Sequence, residues 1–294
     1  MPMSPEVLVI GGRGRVGREV LRALQLTPAK VRALVRTPGT LPHSVAGDLG
    51  DPASLRAAMD GVERVFFVTP HDPAEQQLGK NVIEAAHDAG VKRLVFASAY
   101  HADVTSRLGL SLFVGLMSLL THYGPKLSVE RHVRLAKAMS PVVLMPSNFY
   151  QNDELFLGEI RAGVYPQPLG TKGVNRVDCR DIGDAAARAL TDGSVDAGGY
   201  PLVGPEPALT GPACAAVWAK VLGREVVYDG DLERWYALMA DRMHARERED
   251  FRKTYKIFRR MRVAAKPAEI EKCATLLRRP PHSYEAYVET VAKA

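Results

Sequence analysis

The sequence predicts an α/β chain whose core is a doubly wound parallel sheet, and three observations carry that expectation. Apolar strand-like runs alternate with helix-like stretches through the first half of the chain, the pattern of a parallel sheet with helices on both faces. The first run, Glu6-Val7-Leu8-Val9-Ile10, turns through glycines straight into a helical stretch. After Tyr150 the glycines and prolines of loops accumulate, and from Asp231 the pattern is mostly helical. The expected organisation is a sheet domain of residues 1–150, to which 176–190 returns. A small, discontinuous, mainly helical C-terminal lobe takes 151–175 and 191–294.

The opening run of Val, Leu and Ile reads as a buried parallel strand. Gly11-Gly12-Arg13-Gly14-Arg15-Val16-Gly17 follows it. In a Gly-x-Gly-x-x-Gly pattern the glycines give a tight turn, let the backbone approach a pyrophosphate, and let helix and strand pack closely. The helix behind them aims unpaired N–H groups and its positive dipole end at that pyrophosphate. Glycine-rich turns are common, so it is the order strand, glycines, helix that points to a dinucleotide.

Residues 30–35 (Lys-Val-Arg-Ala-Leu-Val) read as the second strand. A site for NAD places an acid about 20 residues beyond the glycines, where it accepts from the ribose 2′-OH. This chain has Arg36 there, 19 positions after Gly17, and no acid within the strand. A guanidinium can fork onto a 2′-phosphate. Charge-assisted bonds of roughly 1.5–3 kcal/mol correspond to a preference of about ten- to hundredfold. The reading favours NADP over NAD, with Arg13 and Arg15 adding positive charge; the plainer alternative is a polar residue leaving a strand.

A short third strand at 44–47 leads into Asp48 and Leu49. A helix at 52–59 has Asp51 as N-cap and Pro52 at its first position, both favourable there. Further strands are expected at 64–69, 93–98 and 142–145, and a helix at 73–89 is stopped by Gly90. Ligands of such sheets lie beyond the carboxyl ends of the strands. The residues to inspect are therefore the glycine loop, Arg36, Asp48-Leu49, Thr69-Pro70-His71, Ser98-Ala99-Tyr100-His101 and Pro146-Ser147-Asn148. Asp48 could accept from an adenine amino group, and Thr69 and Pro70 could line ribose and nicotinamide. Later, a unit from Arg176 to Leu190 has Asp181 as a candidate N-cap, and a helix capped by Thr210 stops at Gly223.

Composition sets bounds. At 294 residues, 46% apolar and 24% charged, the chain is an ordinary globular one. Its three cysteines, Cys179, Cys214 and Cys273, have no paired or metal-ligand spacing, which fits a reducing compartment. Residues 1–5 lack a charged leader region, and the apolar stretch 108–120 is too short to span a bilayer, so no membrane role and a cytoplasmic location are expected. The net charge is +6, and residues 241–280 alone carry thirteen Lys and Arg against six Asp and Glu. Met243, Phe251, Tyr255 and Phe258 interleave those cations, so the stretch reads as the solvated face of an amphipathic helix and not as a nucleic-acid patch.

Several segments together resemble the NmrA-like family, an atypical branch of the short-chain dehydrogenase/reductases. They are Gly11-Gly12-x-Gly14-x-x-Gly17, Ala33-Leu34-Val35-Arg36, Gly47-Asp48-Leu49, the strand Val91-Lys92-Arg93-Leu94-Val95-Phe96-Ala97-Ser98, and His122-Tyr123-Gly124-Pro125-Lys126-Leu127-Ser128-Val129-Glu130. Pro146-Ser147-Asn148-Phe149 with Asn152, Val177-Asp178-Cys179-Arg180-Asp181-Ile182, and Gly204-Pro205-Glu206-Pro207-Ala208-Leu209-Thr210 complete the set. The resemblance implies a Rossmann-type domain, NADP(H) as cofactor and a substrate cleft between lobes. It implies that Lys126 reaches the nicotinamide ribose and that Asn148 lies in a loop beside the nicotinamide. Some members reduce quinones or other small carbonyl compounds, whereas others bind the nucleotide as sensors.

The wider superfamily uses Ser with Tyr-x-x-x-Lys, the lysine lowering the tyrosine pKa for proton donation. No tyrosine here has a lysine four residues on, and Tyr123-Gly-Pro-Lys126 is one residue short. His122-x-x-x-Lys126 stands in its place, with Gly124-Pro125 expected to distort a helical turn. Tyr100 is a second candidate acid, and Ser98 could hold a carbonyl oxygen. As a solvent-exposed alternative, Lys126 would pair with Glu130. The stretch 108–120 reads either as a lid over an apolar substrate or as a packed helix.

Three functions are weighed. One is an NADPH-dependent reductase of a small apolar carbonyl, quinone or enone. Another is a non-catalytic NADP(H) sensor that docks a protein partner through the basic lobe. The last is a cyclase or isomerase with no net redox change. A homo-oligomer or a protein partner stays open.

Overall fold

The computed structural model describes residues 6–101 and 123–293. His122 and the expected lid at 108–120 lie outside them. The chain divides into two units. The first runs to Pro146 and takes in Cys179–Leu202 and Thr275–Arg278; the second holds Ser147–Asp178, Val203–Ala274 and the residues from Arg279 onward.

The first unit opens with β1 (Glu6–Ile10), α1 (Arg15–Leu24), β2 (Lys30–Val35), β3 (Ser44–Ala46) and α2 (Pro52–Ala58). It continues with β4 (Arg64–Phe67), α3 (Glu75–Asp88), β5 (Arg93–Ala97), α4 (Gly124–Leu135) and β6 (Val142–Pro146), and closes with α5 (Cys179–Thr191) and β7 (Gly198–Leu202). Its seven strands are ordered β7-β6-β5-β4-β1-β2-β3, and every pair is parallel. This is the Rossmann-type doubly wound sheet, with the order reversing beside β1. Val7 to Ile10, Val65 to Phe67 and Leu94 to Ala97 are all buried, which is why these strands read as unbroken apolar runs.

Local chemistry sets the element ends. Asp51 caps α2, accepting from the N–H of Ala53 at 2.9 Å, and Pro52 occupies a first-turn position where no N–H is needed. The same logic corrects one expectation. Gly124-Pro125 does not distort α4; Pro125 falls in its first turn and begins it. Asp181 is not an N-cap either, since α5 starts at Cys179 and Asp181 lies buried in its first turn. Residues 191–202, expected in the smaller lobe, belong to the first unit because Gly198–Leu202 pairs with β6.

The second unit packs Trp218, Trp235, Tyr165, Tyr284 and Tyr287 into its own core. Its helices include Gly211–Leu222, capped by Thr210 and ended by Gly223 in the left-handed region, and the basic Ala245–Arg260. The latter buries Tyr255 and rests Phe251 and Phe258 on the core. At the centre lies a fully buried ion pair, Arg176 to Asp153, at 2.8 Å. Asp153 also accepts from the Tyr165 hydroxyl at 3.0 Å, the Trp218 indole at 3.1 Å, Gln167 and the Tyr284 hydroxyl. Burial pushes the Tyr165 and Tyr284 hydroxyls well above the ordinary tyrosine range, so both stay protonated donors.

Candidate functional site

The carboxyl edge of the first unit's sheet collects most of the expected residues. Gly11 follows β1 at φ +90°, a conformation open to glycine at little cost, and a Cβ there would come within 2.6 Å of Val68. Gly14 turns the chain into α1, its N–H donating to Gly11 O at 2.9 Å. A Cβ on Gly17 would lie 2.1 Å from that same oxygen, so α1 rests directly on the loop. Val16 is buried behind it. No side chain caps α1 and no acid stands in its first turn. Among the described residues, no side chain therefore compensates its leading amide groups and dipole.

Arg36 is exposed immediately beyond β2 and has no hydrogen-bond or ion-pair partner among the described residues; the Arg13 side chain, also exposed, has none. Arg15 is half-buried at the start of α1. Asp48 follows the third strand, its carboxylate accepting from Gly50 N–H at 2.7 Å. Leu49 packs on the core, and its carbonyl accepts from Asn81 at 2.8 Å. Glycine cradle, bare helix end and unpaired arginine fit a dinucleotide bearing a 2′-phosphate.

Thr69, just beyond β4, is buried, while Pro70 is exposed. Thr69 is not an isolated wall of the site. Its hydroxyl donates to Glu75 Oε1 at 2.5 Å and accepts from Lys126 Nζ at 2.9 Å. Lys126 completes a ring by pairing with Glu75 Oε1 at 2.7 Å, and it also donates to Thr69 O at 3.2 Å. The expected exposed alternative, a Lys126–Glu130 pair, gives way to this buried one. The ammonium also stands 5.9 Å from the Phe96 ring centroid.

Glu130, one turn along α4, points at the end of β5. It accepts from the Ser98 hydroxyl at 2.5 Å, from His101 Nε2 at 3.0 Å and from Arg134 Nε at 2.8 Å. Burial works against its ionisation, but His101, Arg134 and Ser98 outweigh that and hold the carboxyl below its ordinary range. Ser98 was expected to hold a carbonyl oxygen; here its one proton is turned onto a carboxylate. Tyr100, half-buried, is anchored through its N–H to Pro146 O at 2.9 Å.

Asn148 belongs to the second unit. It sits in a two-residue strand paired with Arg176–Val177, and its amide oxygen accepts from Arg176 Nε at 3.0 Å. Sequence reasoning missed Glu75 and Arg134, named Glu130 only as a partner for Lys126, and gave His101 an address beyond β5 without a role. The available signal was positional, because each acid is carried on a helix that faces a strand end.

Comparison with known proteins agrees with this architecture. A sequence model of the NmrA-like family matches residues 3–278. An NAD(P)H azoreductase of Xenophilus azovorans is 33% identical over 231 residues, 76% of each chain. Quinone oxidoreductase 2 of Escherichia coli (strain K12) is 28% identical over 243 residues, 79% of each. The triphenylmethane reductase of Citrobacter sp., solved with NADP(H), superposes with a TM-score of 0.79 at 22% identity, covering 98% of this chain and 99% of that one. The chain belongs to the NmrA-like family.

Proposed function

We propose that this chain is an NADPH-dependent oxidoreductase that reduces a small apolar carbonyl, quinone or enone. The observation that carries the reading is the amino end of α1, uncapped by any described residue behind a glycine cradle, with Arg36 unpaired among the described residues at the end of β2. When bound, the cofactor supplies a hydride. The protein supplies position and charge. Backbone amides from Gly11 to Gly17 hold the pyrophosphate, Arg36 and Arg13 take the 2′-phosphate, and Asp48 accepts from the adenine. Lys126 reaches the nicotinamide ribose from the first turn of α4, beside the end of β4. Its side chain, 15% exposed, is less buried than the Glu75 carboxylate with which it pairs. The names of the relatives, an NAD(P)H azoreductase and a quinone oxidoreductase, support a reductase.

Calorimetric titration with NADPH and NADH tests the cofactor, and NADPH oxidation across a panel of quinones, enones and ketones tests the reaction. Replacing Arg36 by Asp is expected to weaken NADPH by about ten- to hundredfold and to spare NADH. No heat with NADPH, or an unchanged affinity in the variant, would remove the reading. Tight binding with silence across the whole panel would instead favour the sensor, to which the missing Tyr-x-x-x-Lys pair points.

A further inference from the structure

We infer that Glu75 is a positioning residue for Lys126, and that the chain meets its nucleotide with a preassembled Lys126–Thr69–Glu75 ring and not with a mobile lysine; the inference rests on the cofactor reading above. The ring is closed. Lys126 Nζ donates to Thr69 Oγ1 at 2.9 Å and to Glu75 Oε1 at 2.7 Å, and Thr69 Oγ1 donates to the same Glu75 oxygen at 2.5 Å. Thr69 therefore has no proton left to offer outward, and the ammonium places its third proton on Thr69 O at 3.2 Å, the longest of its three contacts and the one a nucleotide oxygen would displace.

Exposure separates the roles. The Glu75 and Lys126 side chains are 2% and 15% exposed, and Thr69 is buried. The carboxylate is the hidden support, and Lys126 is the less buried member of the pair. Position agrees, since Val68, next to Thr69, lies against Gly11 of the cradle. Glu75 stands in the first turn of α3, where the helix dipole favours its negative charge. Gly79, one turn further, lets Val129 of α4 come so close that a Cβ would stand 2.4 Å from it, and this brings Lys126 within reach. A lysine held in one geometry avoids the ordering cost of its long flexible stem when a ligand arrives.

The test is calorimetry with NADPH on the full chain, comparing the unmodified protein with Glu75→Gln, Glu75→Asp, Lys126→Met and the double variant E75Q/K126M. Thermal unfolding is recorded for each. Glu75→Gln is expected to weaken NADPH by about tenfold, and the double variant to be no weaker than Lys126→Met alone. Glu75→Asp, which keeps the charge, is expected to recover part of the loss. Should Glu75→Gln fail to fold, Glu75→Asp in the presence and absence of Lys126 reads the same coupling. Losses that add in the double variant, or a lower Tm with unaltered affinity, would make Glu75 a structural ion-pair partner and overturn the inference. No binding by the unmodified chain would overturn the cofactor reading itself.

Discussion

Gly17 carries the tightest steric demand along the carboxyl edge of the sheet, because the missing Cβ is the space in which the Gly11 carbonyl sits. Replacing it by Ala is expected to cost about 1–3 kcal/mol, as overpacking against backbone does, and to abolish NADPH binding. Urea unfolding and calorimetry check the two effects separately. This kind of site residue is legible in sequence, since a glycine's role lies in what it lacks and one letter records it. Arg36 is legible for a related reason: its address at a strand end follows from local pattern alone. Glu75 is not legible, because its meaning depends on a lysine 51 positions further along. Ser98 was found by address but its partner was not, as only the fold brings Glu130 to within 2.5 Å of its hydroxyl.

Helix α4 links both carboxylate clusters. Lys126 and Glu130 are four residues apart and so share a face, one reaching the end of β4 and the other the end of β5. Its height over the sheet is set where Val129 meets Gly79 of α3. Gly79→Ala should push the two helices apart, losing about 1–3 kcal/mol. Adding Val129→Ala should recover part of that loss, and denaturant midpoints of the two variants decide the matter. At this scale the strands β1, β2, β4 and β5 announce themselves as apolar runs. The seventh does not. Gly198-Gly199-Tyr200-Pro201-Leu202 holds two glycines and a proline, which weaken a strand signal. The sheet tolerates Pro201 because β7 is an edge strand, paired only with β6. Helix α4 was obscured for the opposite reason, since a proline that would break a helix interior is favourable in its first turn.

Acid stability is a property of the whole chain in which a single buried group leaves its mark. Glu130 is held below its ordinary value of 4.5, so the folded protein binds fewer protons there than the unfolded one. Its contribution is complete above that ordinary value and is lost as pH falls through the lowered one. Glu130→Gln is expected to be less stable near neutrality and to show a flatter decline in acid, measured by urea unfolding over a series of pH values. The second unit holds its own ionised centre, with a different consequence. Asp153 gathers donors from Arg176, Trp218 and Tyr284, positions spread across much of the carboxyl-terminal half of the polypeptide. Tyr284, the last of these in sequence, adds its hydroxyl to a carboxylate that Arg176 already pairs. One acid thereby ties together stretches of the chain up to 131 positions apart, and no substitution at Asp153 can release one of them while sparing another.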